Sequence, residues 1–284
     1  MKNVFLLGNG FDLHHKMKTN YLDYRDFLLR MGKKEIVECF ESDDEFTIEY
    51  LWNNIEKFLG LISYENAYCY LIPYSSDDWR DSAHHDFQYE IKKMTDYWPG
   101  LKDNLREWIR TVEYTKRDEK IVELIESANY FLSFNYTNTL EKLYGVSEDK
   151  IFYLHGNASK DGELILGHRE DNWYPEWDPN NHDEDARLLE ASGIMDEHFA
   201  KTKKQIENII ESNKGFFERD DFNEIYVLGL SYNETDRFYL KKIAECNKAK
   251  WFFNWYTLDD EKGIDDYARS IGVNDYKKIN IDLF

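Results

Sequence analysis

The sequence predicts an α/β chain: a parallel sheet covered on both faces by crossover helices, interrupted by a large, mainly helical insertion. Three observations carry this. Short apolar runs recur, each followed by a turn: Val4-Phe5-Leu6-Leu7 enters Gly8-Asn9-Gly10, Tyr130–Phe134 enters Asn135–Asn138, and Ile225–Leu228 enters Gly229-Leu230-Ser231. Continuous runs, rather than alternating ones, mark strands buried on both faces. Between them, residues 21–127 carry Leu28, Ile36, Val37, Phe40, Leu51, Ile55, Phe58, Leu59 and Leu61 at helical spacing, with few strand-like runs. Finally, 42% apolar and 17% aromatic residues fill a sizeable core, and 14 glycines and 4 prolines exclude a collagen-like or low-complexity chain. The 284 residues correspond to roughly two domains, or to one core with a large insertion.

Further strands are expected at Ile151–Leu154, Leu164–Leu166, Trp251–Trp255 and Ile279–Ile281. Asn138 with Glu141 reads as a capping box over a stripe of Leu140, Leu143 and Tyr144. Glu234–Glu245 places Phe238, Leu240, Ile243 and Ala244 on one helix face. Asp185–Ser212 reads as one long helix with a break near Gly193, and Asp171–Asp185 as an acidic surface loop.

The chain has 36 Lys+Arg against 56 Asp+Glu, a net charge of −20. Such a surface argues against tracking a nucleic-acid backbone, which relies on basic side chains replacing counterions. Cys39, Cys69 and Cys246 are distant and odd in number, so they form neither a disulfide framework nor a CxxC pair, as in a reducing compartment. The apolar run at the N-terminus meets Asp12 too soon for a signal peptide, and no stretch approaches the length of a membrane span. A cytoplasmic location, with no membrane partner, is the expectation.

Gly8-Asn9-Gly10-Phe11-Asp12 follows a strand directly, and a glycine turn of this kind brings backbone amides close to a phosphate. It is half a dinucleotide fingerprint, because Leu13 stands where the third glycine would be, and a tight turn without a ligand explains the same residues. Asp12 would repel phosphate, which fits a ribose or capping contact better. Phe134–Glu141 offers Asn135, Thr137 and Asn138 where open α/β sheets bind ligands, although by spacing alone helix capping is the simpler account. His155 before Gly156 ends another run and is a candidate general base. The pairs His14-His15 and His84-His85, and the scattered His168, His182 and His198, make no metal-ligand pattern, and no metal is expected. Asp86 with Glu90-Ile91-Lys92 reads as a solvated helix face rather than a nuclease centre. Ser231 lacks the second glycine of a nucleophile elbow.

Taken together, Gly8–Leu13 with Thr19-Asn20-Tyr21 and Asp23-Tyr24, then Phe134–Glu141, Leu154-His155-Gly156, Leu166-Gly167-His168, and Gly229-Leu230-Ser231 with Asp236, resemble in order the blocks of the AbiH family of bacterial phage-resistance (abortive infection) proteins. These blocks are in turn similar to the sirtuin-like NAD-binding fold of phage-defence NADases. The resemblance implies a three-layer Rossmann-like (sirtuin/DHS-like) parallel sheet. The core would comprise residues 1–20 and 128–284, split by a helical insertion over 21–127. It also implies roles for matching residues. Gly8, Asn9 and Gly10 would hold the pyrophosphate of NAD, with Phe11 and Asp12 as further cofactor-binding residues. Asn135 and His155 would act at the nicotinamide ribose, Gly229 and Ser231 would hold the adenosine end, and Thr137, Asn138 and Asp236 would be further cofactor-binding residues. The chain departs from sirtuins at Asn9 and Asp12, where sirtuins have a small residue and a serine. It also lacks the four cysteines of a deacylase zinc ribbon.

The function expected from this resemblance is phage defence through NAD binding and hydrolysis of its nicotinamide–ribose bond. The alternative is a non-catalytic nucleotide-binding sensor, and a nuclease-type effector ranks below both. The expected partners are a small-molecule nucleotide, a phage-derived trigger protein and other copies of the chain. With a net charge of −20, an anionic dinucleotide would have to be held by glycine-turn amides and helix N-termini.

Overall fold

The computed structural model describes residues 2–41, 46–60, 65–169, 185–232 and 234–283. They divide into two compact units, each assembled from separate stretches of chain. The first comprises residues 1–20, 106–165 and 205–284; the second comprises 21–105 and 166–204. Residues 106–127, expected in the insertion, thus cluster with the strands, while 166–204, expected in the core, cluster with the helices.

The first unit holds a six-stranded, all-parallel sheet. Its strands are β1 (Asn3–Leu7), β2 (Tyr130–Ser133), β3 (Ile151–Tyr153), β4 (Glu224–Leu228), β5 (Lys250–Asn254) and β6 (Tyr276–Ile279), in the order β3-β2-β1-β4-β5-β6. β1 is central, with Leu6 in register with Leu132 on one side and Val227 on the other. Successive side chains of β1 point to opposite faces. Val4 and Leu6 join Leu132, Ile225, Val227, Trp251 and Phe253 under the helices Ile206–Ser212, Glu234–Cys246 and Leu258–Ser270. Phe5 and Leu7 join Phe11, Phe131 and Leu228 with Ile121, Ile125 and Leu140 on the other face. Both faces are therefore dry, which is why β1 reads as an unbroken apolar run. Each fully buried side chain of this kind contributes roughly 1.5–3 kcal/mol. The rings of Phe5, Tyr226 and Phe252 stack across three strands at 4.5 Å spacing.

Three local expectations are corrected. Leu164–Leu166 forms no strand: Gly156, at φ +86°, turns the chain, and Ile165 donates its N–H to the carbonyl of His155 at 2.9 Å in a loop. The long helix is two helices, Ala186–Thr202 and Ile206–Ser212. It runs through Gly193 and breaks instead at 203–205, where the backbone turns to pair with His168. Asn138 makes no side-chain cap. Its Oδ1 is taken instead by the Tyr114 hydroxyl, and Glu141 Oε2 accepts from Tyr153. A capping box does form at Thr257 with Asp260. The loop expected at 171–185 lies outside the described residues except for Asp185.

The second unit is helical, with no strand among its described residues. Its helices include Tyr21–Arg30, Lys34–Phe40, Asp86–Thr95 and Ala186–Thr202. The last two pack through Phe87, Ile91, Ala191 and Met195. His168 is fully buried against Phe199, its Nε2 at 3.3 Å from the Phe199 carbonyl oxygen. Its backbone pairs with Thr202 and Lys204. Burial pushes the imidazoles of both His168 and His198 down to about 4.

Candidate functional site at the carboxyl end of the sheet

In a parallel sheet of this order, the chain leaves β1 and β4 toward opposite sides, and the crevice beyond their carboxyl ends is the usual ligand position. Here the two strand exits lock onto each other. Gly8 donates its N–H to Leu228 O at 3.0 Å, Gly10 to Gly229 O at 2.8 Å, and Phe11 to Gly8 O at 2.9 Å. A Cβ at Gly8 would lie 2.5 Å from Gly229 O. One at Gly229, whose φ is +71°, would lie 2.2 Å from Phe11 N. The glycines are thus required by the approach of two backbones, and three amides of the turn are committed within the protein. The Asn9 side chain is likewise engaged, donating to Thr19 O at 2.8 Å.

Beneath the turn, Phe11 and Asp12 are buried. Thr137 and Thr139 donate their hydroxyls to Asp12 Oδ2 and Oδ1 at 2.5 and 2.6 Å. Burial pushes the Asp12 carboxyl up to about 6, against the opposing pull of the Thr137, Thr139 and Asn135 bonds. Asn135 donates Nδ2 to Gly8 O at 3.0 Å. The first glycine turn and the Asn135–Thr139 turn are therefore joined through one buried carboxylate and one amide.

His155 is buried with its ring beside Phe134, Tyr136 and Tyr239, and its Nδ1 lies 3.2 Å from Phe134 O. A donor role for Nδ1 there assigns the ring's basic lone pair to Nε2. Toward solvent, half-buried groups form a rim. Tyr114 donates to Asn138 Oδ1 and accepts from Asn138 N at 3.3 Å. Tyr153 donates to Glu141 Oε2 at 2.5 Å. Burial, reinforced by Glu141, holds the Tyr153 phenol well above its ordinary value, so it remains a donor. Ser231 is exposed beyond Gly229, and Asp236 lies half-buried in the first turns of Glu234–Cys246.

The family model described as "Bacteriophage abortive infection AbiH" matches residues 4–255, a span that includes every segment above. The chain belongs to the AbiH family. That membership points to a role in phage abortive infection. Comparison with curated proteins and with solved structures returns no match. No helix among the described residues of this AbiH protein is long and apolar enough to cross a membrane.

Of the residues singled out in its sequence, Gly8, Gly10, Phe11 and Gly229 meet at the strand exits, and Asp12, Asn135 and Thr137 meet beneath them. Thr139, Tyr114 and Tyr153 were missed. Thr139 carried a signal, as a second hydroxyl two residues after Thr137. Tyr114 carried none, because it reaches Asn138 from 24 residues away. As folded, the AbiH site brings together amide, hydroxyl, imidazole and carboxylate groups. It does not offer the glycine-turn amides of a pyrophosphate cradle.

Proposed function

We propose that this AbiH-family protein acts in phage defence by binding a nucleotide at the carboxyl end of the first unit's sheet, with NAD as the ligand and hydrolysis of its nicotinamide–ribose bond as the reaction. The observation that carries the reading is the convergence of four motif segments at the reversal of strand order, where open α/β sheets take ligands. A Rossmann-like, sirtuin-like core is the fold reading that goes with it. The amides of Gly8, Gly10 and Phe11 are engaged, so a pyrophosphate at this turn requires those bonds to exchange. The sugar side fits better.

The reaction replaces nicotinamide on the ribose carbon by water. His155 Nε2 accepts a proton from the water or a ribose hydroxyl, and Asn135 positions the sugar. Purified protein incubated with NAD, alone and with phage lysate, should release nicotinamide and ADP-ribose on chromatography. Replacing His155 by Ala should lower that rate about 10²–10⁴-fold. No product under either condition would remove the reaction.

A second reading, nucleotide binding without turnover, is favoured by the burial of His155 and by the full engagement of Asp12 with threonines. It is distinguished by thermal stabilisation with NAD or ADP-ribose in the absence of product. A nuclease role ranks below both at a net charge of −20.

A further inference from the structure

Among the carboxylates of this site, Asp12 and Glu141 have different surroundings. Asp12 has a threonine hydroxyl on each oxygen and is closed off from solvent, so the ribose contact expected of it is blocked by burial. Glu141, on the helix Thr139–Tyr144, is half-buried. Its Oε2 is fixed by the Tyr153 hydroxyl, and its Oε1 accepts no hydrogen bond among the described residues. Both phenols of the rim, Tyr114 and Tyr153, sense both Asp12 and Glu141. The four side chains thus form one cluster, with Asp12 inside and Glu141 outside.

Asn138 is the N-cap of that helix and stands three residues before Glu141. Its Oδ1 is held by Tyr114, which orients the amide and leaves Nδ2 as its donor. Among the described residues Nδ2 donates to no protein group. An open carboxylate oxygen and an open amide donor, three residues apart and each side chain held by a tyrosine, match two neighbouring hydroxyls. They do not suit a metal ion, which the amide N–H would repel.

We propose that Glu141, held by Tyr153 and working beside Asn138, is the residue by which this site recognises the vicinal diol of a ribose and discriminates against deoxyribose. The inference rests on the nucleotide reading above. It also gives the last residue of Phe134–Glu141 a use that helix capping does not.

The test is calorimetric titration of the full chain with AMP, 2′-deoxy-AMP and NAD. A site that hydrogen-bonds a hydroxyl rejects the analogue lacking it, so the wild type should bind AMP about tenfold more tightly than 2′-deoxy-AMP. Glu141→Gln should reduce that ratio to about twofold, with an unchanged circular dichroism spectrum. Tyr153→Phe, which releases the carboxylate without removing it, should give an intermediate ratio. A merely structural role would lower both affinities together and leave the ratio alone. An unchanged ratio in Glu141→Gln, with nucleotide still bound, overturns this inference and spares the nucleotide reading. A wild type that binds none of the three ligands overturns both.

Discussion

In the first unit the buried polar centre is an acid, Asp12, with both oxygens satisfied by Thr137 and Thr139. In the second it is a pair of bases, His168 and His198, whose Nδ1 and Nε2 respectively meet no hydrogen-bond partner among the described residues. Burial acts on both, raising the acid to about 6 and lowering the bases to about 4. The same penalty on charge therefore gives the two units opposite responses to acid. Asp12 shows a carboxyl used as a junction between two motif turns. His168 shows a ring used as packing, stacked on Phe199 with its backbone tied to Thr202 and Lys204.

The largest test of that contrast uses the glycine that closes each arrangement. A Cβ at Gly229 would lie 2.2 Å from Phe11 N, and one at Gly167 would lie 2.1 Å from Thr202 O. Each Ala replacement should cost roughly 2–4 kcal/mol. Hydrogen exchange should show protection lost chiefly in the unit that carries the change. Equal loss in both units would mean that they do not unfold separately.

The pH response comes next. For Asp12, whose folded pKa is raised, the native state binds more protons than the unfolded chain between about 4 and 6. Its contribution is present below that window and lost as pH rises through it. For His168 and His198 the unfolded chain binds more protons between about 4 and 6.5, so their contribution is present above the window and lost as pH falls through it. Urea unfolding across this range should show wild type losing stability relative to Asp12→Asn as pH rises, and gaining it relative to His168→Asn. Parallel slopes would break the comparison.

The smallest effect is expected at Tyr97, a buried residue of the second unit whose hydroxyl has no partner among the described residues. Tyr97→Phe removes an unsatisfied polar atom and should leave stability within about 0.5 kcal/mol of wild type, or raise it. A clear loss in thermal unfolding would reveal a partner for that hydroxyl.

Much of this architecture was readable from residues alone. Val4–Leu7, Tyr130–Phe134 and Ile225–Leu228 announced strands because both faces of the sheet are dry, and their turn residues pointed to the strand ends. The partners of those turn residues were not readable. Nothing in Gly229 says that its carbonyl will receive Gly10, since that contact depends on strand order. Asn138 and Glu141 have capping-box spacing, but two tyrosines distant in sequence captured both side chains. The break at 203–205, likewise, comes from pairing with His168 and has no local cue.

The position of β1 has a consequence for how the protein is made. The backbone of Asn3 meets Asn129, 126 residues further along, and that of Lys2 meets Asn223, 221 residues along. The chain passes between its two units four times in between. The central strand is thus synthesised well before its neighbours on either side. Its apolar side chains must wait for more than a hundred residues before β2 is made, and for about two hundred before β4, which slows folding and exposes the nascent chain to aggregation. Overproduction should therefore tax this protein at the stage of synthesis, before the stability of either finished unit comes into play.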